Sequence, residues 1–186
     1  MITLLQPPPV EPLDLAEIKA HLRIDHMDED SLLQSYLQAA RRTVEDFLGR
    51  ALITQRWQLV RDHWPENGTV CLPKPPLLSV EAVRLIHRAG ETQIMDPMLY
   101  RVESRAEPGF LVATSVGGFP KAGQKHGGIE IDFSAGYGPA AQDIPAPIRH
   151  AILLVVASLY QQRGGTGHIL AQSVRSLLGP YRMVRL

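Results

Sequence analysis

The chain is 186 residues long, with 45% hydrophobic and 20% charged residues, which suffices for one sizeable core and argues against wholesale disorder. Nineteen Lys/Arg balance nineteen Asp/Glu, so the basic footprint of a protein built around duplex DNA is missing. A single cysteine, Cys71, excludes an intrachain disulfide and a cysteine-based zinc cluster.

The neutral total hides a segregation. Residues 1–50 carry net −4, residues 51–143 net −1, and residues 144–186 net +5 with five Arg and no acid. A negative head and a positive foot can attract further copies of the chain or a charged partner. Chance segregation of surface charge is the alternative. Met1 to Val10 lacks the pattern of a secretory signal. The longest apolar run, Ala151 to Leu159, is about half of a membrane span, so no membrane association is expected. These features predict a soluble, cytoplasmically made protein.

Pro7-Pro8-Pro9 permits neither helix nor central strand, so the first dozen residues read as an extended leading arm. Asp14, with Glu17 three positions on, forms a capping-box pair, and Leu15, Ile18 and Leu22 follow at helical spacing. The acidic turn Asp25 to Asp30 closes this helix and opens the next. Its carboxylates suit a helix N-terminus. Leu33, Leu37, Ala40, Val44 and Phe47/Leu48 mark a long amphipathic helix, ended by Gly49.

From Gln55 the texture turns to strands. Candidates are Trp57–Arg61, Thr69–Leu72 after the Asn67-Gly68 turn, Val80–His87, Leu99–Val102, Gly109–Thr114 and Gly128–Phe133, punctuated by glycine and proline. Their spacing predicts a small antiparallel sheet. Cys71, between Val70 and Leu72, reads as a small buried hydrophobe. Pro145 and Pro147 open a third helix, with Ile148, Ile152, Val155/Val156 and Leu159 on its apolar face and Gly164-Gly165 at its end. A flexible connection follows up to Ser173. The fold expected is α+β: a helical-bundle body of three main helices, an inserted antiparallel β region and a C-terminal arm. The predicted divisions are 1–54, the N-terminal helical part; 55–140, the strand-rich insertion; and 141–186, the last helix with a docking arm.

Little chemistry is indicated. Asp25, Asp28, Glu29 and Asp30 lack EF-hand spacing and read as a solvated cap. The seven histidines show no ligand spacing, so no metal is expected. Gly117-Gly118 and Gly136-Tyr137-Gly138 match no phosphate-loop pattern, and no nucleophile elbow is present. Catalytic residues and cofactors are therefore predicted to be none. The terminal arm is the most suggestive segment: Arg175, Arg182 and Arg185 alternate with Leu177, Leu178, Tyr181, Val184 and Leu186. Tyr and Arg combine apolar area with hydrogen-bonding reach, as interface hot spots do. The arm either docks on its own body or on a neighbouring chain.

Several segments carry a family resemblance. Pro8 and Pro12-Leu13-Asp14-Leu15-Ala16-Glu17-Ile18-Lys19-Ala20-His21-Leu22-Arg23-Ile24-Asp25 resemble the start of head–tail connector (adaptor, or head-completion) proteins of long-tailed bacteriophages and phage-like gene transfer agents. So do Asp30 to Leu33 leading into Gln38 to Glu45. Ile144 to Leu153, Tyr160 to Gly164 and Leu178 to Arg182 are similar to the longer members. The middle is matched only loosely.

The resemblance implies a structural, non-enzymatic part. It implies a ring of commonly twelve copies beneath the portal at the head–tail junction. That ring continues the DNA channel without specific DNA binding and offers a site to the next head-completion or tail-terminator protein. It assigns portal contact to Arg175, Leu177, Leu178, Tyr181, Arg182, Val184, Arg185 and Leu186, and ring contact mainly to the first two helices. Two other readings stay open at this stage. One is a small-molecule-binding or hydrolytic enzyme using Trp57, Tyr100, Tyr137 and the histidines of the strand region. The other is a nucleic-acid module acting through the basic arm.

Overall fold

A computed structural model describes residues 1–87, 90–162 and 170–183. The fold is α+β, and the chain divides into two compact units: Met1–Pro8 with Thr54–Gly136, and Pro9–Ile53 with Tyr137–Leu186.

The first unit is built of strands. Strands β1 (Ile2–Gln6), β2 (Gln55–Arg61), β4 (Leu77–Ile86), β5 (Thr92–Ile94) and β8 (Ile129–Ala135) form an antiparallel sheet in the order β1-β2-β8-β4-β5. Strands β3 (Thr69–Leu72), β6 (Tyr100–Glu103) and β7 (Gly109–Ala113) form a second, in the order β3-β7-β6. Two sheets thus replace the single one expected. The leading arm is also corrected: residues 2–6 pair with β2, placing Leu4 opposite Trp57.

Central strand β8 shows the period-two logic most plainly. Ile129, Ile131, Phe133 and Ala135 are fully buried on one face, against Leu59 of β2 and Val83 of β4 in register. On the other face, Glu130, Asp132 and Ser134 are held by cross-strand bonds. Arg84 donates to Glu130 at 3.2 Å and to Asp132 at 2.6 Å, and Gln58 reaches both carboxylates. These two carboxylates hold the Arg84 guanidinium above its ordinary pKa. Ser134 donates to Glu81, which also takes the Arg56 guanidinium at 2.6 Å.

Gly109 lies so close to Leu77 that a Cβ there would meet Leu77 Cδ2 at 2.5 Å, so only glycine fits. Cys71 is exposed, contrary to expectation, because buried Val70 and Leu72 occupy the opposite face of β3.

The second unit is helical. Helix α1 (Leu15–Leu22) carries the capping box: Glu17 N–H donates to Asp14 at 2.7 Å, and Asp14 N–H donates to Glu17 at 3.1 Å. Helix α2 (Asp30–Leu48) buries Leu33, Leu37, Ala40, Val44 and Leu48 and ends on Gly49 at φ +70°. Its acidic start is partly neutralised where Lys19 meets Asp30 at 2.8 Å. Helix α3 (Ala146–Gln161) buries Ile148, Ala151, Ile152, Val155 and Val156. Its predicted Gly164-Gly165 stop lies outside the described residues. A fourth helix, α4 (Gln172–Leu178), packs Val174 and Leu178 into the same core.

A buried ion pair sits inside this body. Arg41 donates to Glu45 at 2.9 Å and to Glu11 at 2.8 Å, and the other Glu45 oxygen accepts the Leu52 N–H at 3.1 Å. Arg41 and Glu45 are both buried, and a buried ion pair is tolerated only when its remaining polar atoms are also satisfied.

Candidate docking surface

Val174 and Leu178, spaced i,i+4, give α4 one apolar ridge, which holds it on the helical core. Past Leu178 the chain makes a tight 3-10 turn at Gly179–Tyr181 and runs back along the end of α2. Arg50 Nε donates to the Tyr181 carbonyl at 2.6 Å, and Met183 N–H donates to the Leu48 carbonyl at 2.9 Å. Gly49 permits this approach: a Cβ there would lie 3.4 Å from that of Met183.

Phe47 takes two cations. The Arg182 guanidinium lies 5.1 Å and that of Arg175 5.9 Å from the ring centre, within cation–π range. Arg175 Nε also donates to the Leu170 carbonyl at 3.1 Å.

The predicted docking residues therefore separate. Arg175 and Arg182 are exposed, Leu177 and Tyr181 are half-buried, and Leu178 is fully buried in its own core. Val184, Arg185 and Leu186 lie outside the described residues. Through Met183 the arm is fastened to its own body by these bonds. The i,i+4 pair Val174/Leu178 carried that signal in the sequence. The partners Arg50 and Phe47 carried none, because they lie more than a hundred residues away along the chain.

Chemical groups elsewhere are dispersed. Trp57 is on β2 beside Lys74, Tyr100 opens β6, and Tyr137 packs against the helical core. Burial raises the Tyr100 pKa, with Asp96 adding to the effect. Among the described residues no group of three or more His, Cys, Asp or Glu could hold a metal; His168 lies outside them.

A surface cleft of about 500 Å³ is bordered by stacked Trp64 and Phe119, with centroids 4.1 Å apart, and by Asp62, Lys121 and Lys125. Asp62 accepts the Gly127 N–H at 2.7 Å; that bond, helped by His126 and His63, lowers its pKa. Among the described residues no helix is long and apolar enough to cross a membrane.

Comparison with known proteins gives these features a context. Residues 12–86 match the family model of the phage gp6-like head-tail connector protein. The whole chain is similar to a chain in the neck of an empty GTA particle computed with C6 symmetry. The TM-score is 0.87 and the identity 27%, over 100% of this chain and 97% of that one. It is likewise similar to a chain of the virion of a native gene transfer agent particle (TM-score 0.85, 28% identity, the same coverage). A third match is to the neck of a native GTA particle computed with C12 symmetry (TM-score 0.82, 28% identity, the same coverage). A search of the curated proteins finds no match.

The class these matches define is that of structural particle proteins rather than enzymes. Within it, residues 12–86 resemble the head-tail connector family, and the whole chain is similar to proteins of the gene transfer agent neck and virion.

Proposed function

We propose that this protein is the head–tail connector in the neck of a phage-like particle. Twelve copies form a ring beneath the portal, continue the DNA channel and present the seat for the next head-completion or tail-terminator protein. The observation that carries this reading is the likeness along the entire chain, both units included, to a protein of the GTA neck. Neutral net charge suits a channel through which DNA slides, because dense phosphate contacts would hold it.

Portal contact falls to the C-terminal surface, through Arg175, Leu177, Tyr181 and Arg182; Val184, Arg185 and Leu186, also assigned to it by the resemblance, lie outside the described residues. Leu178 serves instead as the anchor that holds α4 in place. The surface is cationic and half-apolar, which fits an acidic, partly apolar portal face.

Deleting the gene and imaging the particles tests the role. Full heads lacking tails are expected, with tails restored by the intact gene. Tailed, infectious or transfer-competent particles made without the protein would refute it.

A further inference from the structure

We infer that the open edge of the five-stranded sheet, strand β1, is a subunit-to-subunit contact, covered in the ring by the β5 edge of the neighbouring copy. The inference rests on the ring reading and adds a surface to it.

Among the described residues β1 has β2 on one side only, and β5 has β4 on one side only, so each leaves a row of backbone groups unused by the sheet. The ladder identifies them. Met1 and Val60 exchange both backbone bonds at 2.9 Å, so by antiparallel alternation Ile2 and Leu4 turn their N–H and C=O outward. On the other edge, Met95 N–H donates to Val83, so Thr92 and Ile94 turn theirs outward. Natural edges are usually guarded by charge or proline. Neither Ile2–Gln6 nor Thr92–Ile94 contains a charged residue or a proline. The side chains are bare as well: Ile2, Leu4 and Leu5 are 36–44% exposed, and Ile94 is 70% exposed.

The two edges are complementary. A shift of register between Leu4 and Gln6 limits regular pairing on β1 to Ile2–Leu4, the same length as Thr92–Ile94. Four antiparallel steps separate β1 from β5, so both run in one direction. A copy rotated about an axis along the strands brings its β5 beside β1 as a parallel addition. This is a heterologous contact between two different patches, the kind that closes into a ring. The twelvefold symmetry of the similar neck structure favours a second copy as the occupant.

The test uses assembled particles carrying Leu4→Cys and Ile94→Cys in a Cys71→Ser background, treated with a short bis-maleimide. A ladder of covalent multimers is expected with both cysteines and none with either alone. Normal incorporation without the ladder, or cross-linking of Leu4→Cys to a different particle protein, overturns the inference while leaving the ring reading intact. Wild-type protein absent from the neck overturns both.

Leu4→Pro removes one outward amide and keeps the bonds to β2. It should leave the melting temperature within a few degrees and lower particle occupancy at least tenfold. Normal occupancy sinks the edge contact.

Discussion

Arg50 and Tyr181 are 131 residues apart in sequence, yet Arg50 Nε donates to the Tyr181 carbonyl at 2.6 Å. This bond closes the C-terminal segment onto the end of α2, where Arg182 and Arg175 lie over Phe47. The proposed docking surface is therefore shaped before any partner arrives, which lowers the ordering cost of binding.

Arg50→Ala should release that segment. Arg50 is nearly buried, and a hydrogen bond from a charged donor contributes about 1.5–3 kcal/mol. Hydrogen exchange should show protection lost at Met183 and through α4, while the first turns of α2 stay protected. Unchanged protection at Met183 would show that the bond is dispensable.

Replacing Arg175 and Arg182 together by Glu should leave the fold intact. The two cation–π contacts are worth only about 0.5–1 kcal/mol each at exposed sites. Particle occupancy should fall on the order of tenfold, about 1.4 kcal/mol of lost association. Quantitative immunoblotting of purified particles against soluble protein provides the measurement.

Arg41→Ala should cost about 3–5 kcal/mol, because it removes the cationic partner of the buried Glu45 carboxylate. Glu11→Ala should cost less, because Glu11 is 25% exposed and its loss still leaves Arg41 paired with Glu45. Urea unfolding of both variants tests this order.

Gly109→Ala should destabilise the strand unit by about 1–3 kcal/mol through overpacking against Leu77. Pairing it with Leu77→Ala should recover part of that loss, giving a non-additive cycle. Strict additivity in thermal melts would mean the two side chains do not meet.

The Asp62 carboxyl, lowered first by the Gly127 N–H bond, makes the loop after Phe119 sensitive to acid. Its contribution is complete above the unfolded value of about 3.9 and disappears as pH falls through the lower folded value. Gly127 amide exchange should accelerate in that acidic window. In Asp62→Asn the acid step at this amide should be missing.

Much of the architecture was legible because it rests on local pattern. The Asp14/Glu17 box, the Leu33 to Leu48 stripe and the Gly49 stop lie within single helices, and the strand candidate Gly128–Phe133 covers most of β8. Strand β1 escaped because Pro7-Pro8-Pro9 dominates its neighbourhood and its partner β2 begins about fifty residues later. Strand β5, only three residues long and wholly exposed, has no buried face to betray it. At the proposed docking surface, arginine–leucine alternation singled out the segment. Which residues face outward depended on Phe47 and Arg50, whose nearness to that segment is made only by folding.

The passage of the chain between its units has a practical consequence. Residues up to Pro8 belong with Thr54–Gly136, although forty-five residues of helical unit intervene. Excising the strand region alone would therefore orphan Ile2–Gln6 as a bare apolar ribbon prone to aggregate. A shortened relative that dispenses with one must shed or recolour the other, so the N-terminal hexapeptide and the distant insertion should be gained and lost together.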